Sequence, residues 1–122
     1  MELPDLSKLE VYYQKVEIIQ ATADQIIKDF QWFDEQITFS GQSESAYQEL
    51  YDQIHPIIDR MLNLDAARFF SLLYAIDVEE GKVQKLLFGE EATDASAEIA
   101  KLIIRRELIK VILRKHFSKG AF

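Results

Sequence analysis

The stretch LEVYYQKVEIIQATADQIIKDFQWFDEQI, residues 9–37, decides the fold class. Its apolar residues fall at Leu9, Tyr12, Val16, Ile19, Ala23, Ile26, Phe30, Phe33 and Ile37, in alternating steps of three and four. On a helix with 3.6 residues per turn, such steps return to one face, so the spacing predicts a single long helix packed along its length against others. Gly41 follows, and glycine accepts the left-handed backbone of a C-cap, so Phe39-Ser40-Gly41 is the expected stop.

The same periodicity continues down the chain. Ser45 with Gln48 three residues later has the form of a capping box, ahead of Leu50, Ile54, Ile57 or Ile58, and Met61 on one face. Pro56 lacks an amide hydrogen and crowds the preceding turn, which predicts a kink or break at His55-Pro56. Asp65 is placed to cap AARFFSLLYAI, residues 66–76, where Arg68 is the sole charge. A helix so apolar is expected in the middle of the fold, with the guanidinium reaching past the core edge to an acid. Asp77 with Glu80 opens a short helix carrying Val83, Leu86 and Leu87 before Gly89. The polar link EEATDAS then leads to a final helix from about Ser96 to Phe117. No strand-like alternation and no internal repeat interrupts this series. The expected fold class is all-α: one domain over residues 1–122, a four- to five-helix bundle with a long N-terminal and a long C-terminal helix.

Composition sets outer limits. A chain of 122 residues with 48% hydrophobic and 29% charged residues is large enough to bury a core unaided. The absence of cysteine removes disulfides, thiolate chemistry and cysteine-ligated zinc. MELPDLSKLE has neither the basic nor the apolar region of a secretory signal, and no apolar run has the length of a membrane span. The expectation is a cytoplasmic protein without membrane association.

The net charge of −7 is unevenly spread. Residues 101–119 hold seven of the 14 Lys and Arg residues and a single acid, Glu107, so they carry +6 and the rest of the chain −13. On a helical wheel, residues 99–117 show two apolar faces. Ile99, Leu102, Ile103, Ile109, Leu113 and Phe117 form one; Ile104, Leu108, Val111 and Ile112 form the other. Lys101, Arg105 and His116 lie in one seam, and Arg106, Lys110 and Arg114 in the second, with Lys115 completing the charged set. Such a helix is expected to be central or to join two layers, with its cations snorkelling to the rim to meet acids of neighbouring helices.

Three classes of function follow for comparison. Val11, Ile18 and Trp32 share a heptad column behind the core stripe of the first helix. That column and the second apolar face of the last helix, Ile104, Leu108, Val111 and Ile112, are candidate contact surfaces for a homodimer or another protein partner. The segment SLLYAIDVEEGKVQKLL has the outline of a helix-turn-helix. Its second helix balances Glu79 and Glu80 against Lys82 and Lys85, which makes nucleic acid an unlikely partner, because phosphate binding needs net positive charge. Asp52, His55 and Asp59 stand at steps of three and four, as helix-borne metal ligands do. Pro56 and the lack of a matching histidine motif leave them as weak candidates, and no cofactor is expected. No nucleophile elbow and no glycine-rich phosphate loop is present, so the reading leans away from an enzyme. The preferred reading is a protein-interaction module that works by helix-face recognition.

Leu73-Tyr74-x-Ile76-Asp77, and less strictly the region from Arg106-Glu107 to Lys110, resemble the shared portion of small uncharacterised all-helical bacterial proteins over about residues 66–116. The resemblance implies a bacterial cytoplasmic origin and transfers no activity or site.

Overall fold

The computed structural model describes residues 15–89 and 94–120, except the side chains of 119 and 120. Among these residues its regular elements are all helices: α1 Val16–Gln31, α2 Ala46–Leu64, α3 Ala66–Ile76, α4 Glu80–Phe88 and α5 Ala95–Gly120, with a 3₁₀ turn at Ser43–Ser45. The helix α5 is the axis of the bundle and packs most extensively on α2 and α1.

The first helix differs from its expected span at both ends. Lys15 is extended and α1 begins at Val16; Leu9 and Tyr12 lie outside the described residues. At the other end the helix closes after Gln31, ten residues before Gly41. Asp34 takes the left-handed conformation (φ 60°), its amide bonds to the Gln31 carbonyl, and the Glu35 amide reaches back to the Phe30 carbonyl. This is the Schellman closure, with aspartate where glycine is usual. Phe30 and Ile37 both reach the core as their spacing suggested, but Ile37 arrives on non-helical chain.

The early stop coincides with the burial of Glu35. Its carboxylate is buried and receives Arg60 of α2, together with Arg68 of α3 at 3.1 Å; Arg68 also donates to the Phe33 carbonyl. Arg68 therefore has the acid partner expected of it, and the pairing ties the end of α1 to α2 and α3.

The other local signals divide. Asp65 caps α3 by accepting the Arg68 amide. Pro56 leaves α2 unbroken, and Ser45 precedes α2 without a capping hydrogen bond from its side chain. Asp77 closes α3 instead of opening α4: it is left-handed (φ 67°), with Asp77 bonded back to Tyr74 and Val78 back to Leu73. The helix α3 is not central. Phe69, Leu72, Leu73 and Ile76 face the core, while Phe70 and Tyr74 face outward.

One core joins α1, α2, α3 and α5 through Ile26, Phe30, Ile54, Ile58, Met61, Phe69, Leu72, Ile76, Ile99 and Ile103, with Val83 added from α4. A second cluster packs Ile18 against Leu108, Val111 and Ile112. The second apolar face of α5 is thus fully buried, whereas the first is buried at Ile99 and Ile103, half-buried at Leu102, Ile109 and Leu113, and exposed at Phe117.

Candidate interaction groove

Folding leaves most large apolar side chains inside, which isolates those that remain outside. Tyr74 is 89% exposed, Phe88 79% and Phe70 49%, and all three line one groove of about 630 Å³ between α3 and α4. Leu73 and Val83 form its apolar base, and Asp77, Glu79 and Glu80 stand along it. After the Asp77 closure α4 packs on α5, and the groove is left between its residues and the outer side of α3. The sequence carried the aromatics in plain view, but an apolar helix has the same composition whether one or all of its faces are covered.

The basic stretch of α5 is largely answered within the chain. Lys101 pairs with Glu98 at 3.1 Å, Arg106 with Asp77 at 2.9 Å and Lys110 with Asp29 at 3.5 Å, and Arg114 donates to Gln25 at 2.9 Å. Arg105 and Lys115 have no ion pair among the described residues; Arg105 is exposed beside Arg106 in a second concavity of about 390 Å³ with Lys82, Leu102 and Ile109. His116 is half-buried against Phe117.

Glu107 is the exception in this seam. Its side chain has no exposure, Lys110 Nζ stands 2.5 Å from one oxygen, and neither oxygen accepts a well-aligned hydrogen bond. Burial, reinforced by the Asp29 carboxyl and only partly opposed by Lys110, pushes its pKa up to about 8.

Of the metal candidates, Asp52 accepts Gln48 at 2.6 Å. His55 and Asp59 meet a different group, the start of α5. Ser96 Oγ lies 3.1 Å from Asp59, 3.2 Å from His55 Nε2 and 2.8 Å from Asp94, and Asp94 lies 3.4 Å from the same Nε2. Among the described residues no three His, Asp or Glu side chains converge as a metal requires. The cluster also lacks the order of a catalytic triad, in which serine and acid occupy opposite ring nitrogens. Here both meet Nε2. Asp94 accepts the Ala97 amide at 3.2 Å, so the arrangement is an N-cap of α5 braced against α2. The role of Asp94 was legible in principle, as an N-cap residue just before an apolar-periodic run; the contact with His55 was not.

The contact surfaces drawn from periodicity are mostly internal. Ile18, Ile104, Leu108, Val111 and Ile112 are buried within this one chain, where α1 and α5 cover each other. Val11 lies outside the described residues, and Trp32, 84% exposed, is the member of that set left on the surface.

No family model, no curated protein and no solved structure matches this chain. Among the described residues, no helix is long and apolar enough to cross a membrane.

Proposed function

We propose that this protein is a non-enzymatic interaction module, acting in the cytoplasm, that recognises a partner through helix-face contacts made by α3 and α4. One observation carries the reading: of the six aromatic side chains exposed among the described residues, three share a single groove. Exposed apolar groups scattered singly are ordinary, whereas grouped aromatics in a concavity are the usual anchors of protein interfaces.

The α3–α4 hairpin also has the outline of a nucleic-acid reader, which keeps that as the second reading. The acids at the turn weigh against it, since phosphate binding draws on lysine and arginine at the contact. Self-association has lost most of its candidate surface to the interior, leaving Trp32 or this same groove for a homodimer.

The test compares capture by the wild-type protein with capture by the double variant Tyr74→Ala/Phe88→Ala, after nuclease treatment. The reading expects a discrete protein retained by the wild type and lost with the variant, while circular dichroism shows both equally folded. Retention by both forms alike, or recovery of nucleic acid in place of protein, would count against it.

A further inference from the structure

We infer that the α3–α4 groove binds a cationic amphipathic helix supplied by a different protein; this rests on the groove being the recognition face. The shape argument is that two flanking helices leave a channel whose exposed anchors are set one turn apart. Phe70 and Tyr74 are four residues apart on α3, a separation of roughly 6 Å along the axis, close to one turn of a partner helix. An amphipathic helix laid in such a channel presents apolar residues at the matching three- and four-residue steps.

The charge argument selects the partner. Every ionisable side chain carrying formal charge in the groove lining is an acid: Asp77, Glu79 and Glu80. Two of the three are ion-paired within the chain, and these two, Asp77 and Glu79, line the second concavity as well as the groove. Arg106, which pairs with Asp77, and Lys82, which pairs with Glu79 at 3.4 Å, both line the second concavity beyond the α3–α4 turn. Glu80 accepts from the neutral Gln84 at 3.4 Å and has no ion pair among the described residues. A two-fold copy of this face would set the same acids against themselves, and a phosphate surface would be repelled. A helix with lysine or arginine beside its apolar stripe satisfies both terms, and its cations can also lie over the faces of Tyr74 and Phe88.

The experiment titrates the full chain into three fluorescein-labelled amphipathic peptides that share one leucine register and carry lysine, glutamine or glutamate on the polar face. Anisotropy is read at moderate salt. The lysine peptide is expected to bind, and to weaken roughly tenfold or more with Tyr74→Ala/Phe88→Ala and with Glu79→Gln/Glu80→Gln. It should be unaffected by Asp24→Asn, which removes an exposed acid on α1 away from the groove. Equal binding of all three peptides, still lost with Tyr74→Ala/Phe88→Ala, would overturn the charge selection while leaving the groove as recognition face. Absence of binding, or binding indifferent to Tyr74→Ala/Phe88→Ala, would overturn both. A sedimenting dimer dispersed by Tyr74→Ala, or displacement of the peptide by DNA, would also overturn the inference by naming a different occupant.

Discussion

Replacing Glu107 with glutamine should stabilise this protein, and increasingly so as the pH rises. The carboxyl is fully buried between Asp29 and Lys110, and its pKa is pushed from the ordinary 4.5 up to about 8, first by burial. Between these values the folded chain holds a proton that the unfolded chain has released. Stability therefore falls as pH rises, by about 1.4 kcal/mol per pH unit. The contribution is fully present below pH 4.5 and lost on passing 8, an accumulated cost of about 5 kcal/mol. At pH 7 the cost has reached about 3 kcal/mol, a substantial part of the 5–15 kcal/mol that holds a typical domain together. Glutamine keeps the shape and cannot ionise. The assay is urea unfolding followed by circular dichroism, from about pH 5 to about pH 9, since Trp32 is too exposed to report on the core. The two proteins should be close in stability at the acid end and diverge towards the alkaline end, with Glu107→Gln the more stable. Parallel curves, or a variant that is weaker at pH 8 and above, would refute the reasoning and show that Lys110 supports an ionised Glu107.

Glu35→Gln removes the charge shared by Arg60 and Arg68, and should cost about 1.5–3 kcal/mol because charge-assisted bonds to a buried carboxylate are lost; urea unfolding at neutral pH measures it. Asp34→Gly places the residue best suited to a left-handed backbone at the end of α1, and should gain about 0.5–1 kcal/mol, seen as a melting temperature a few degrees higher. Asp94→Ala should lower the melting temperature and speed hydrogen exchange at Ala97, whose amide it caps. Hydrogen bonds from Ser96 and Ala97 hold the Asp94 carboxyl below its usual range, so its contribution is present above the ordinary aspartate pKa and fades as pH falls through the lower one.

The parts of the fold that periodicity could reach were those set by side chains repeating along a helix. The two-faced pattern of residues 99–117 pointed to a central or layer-joining helix, and α5 buries Ile103 and Ile104 in one cluster and Leu108, Val111 and Ile112 in the other. Helix ends were harder, because they depend on contacts from afar. Phe33 and Ile37 keep perfect step with α1, yet the chain turns at Asp34 to bury Glu35 between two arginines that come from 25 and 33 residues later. Asp77 has the composition of an N-cap and serves as a left-handed C-terminal residue, a choice fixed by the backbone on either side. The recognition groove was hidden for a related reason. Phe70 and Tyr74 sit in the most apolar segment of the chain, and only the placement of α4 and α5 decides which of its faces stays uncovered.

The most direct test of the central claim is amide chemical-shift mapping of the isotope-labelled protein, titrated with the lysine-bearing amphipathic peptide. The account predicts shifts concentrated between Phe70 and Phe88, with the turn at Asp77–Glu80 among the largest. Shifts centred on α1 and the basic end of α5, with α3 and α4 silent, would contradict it.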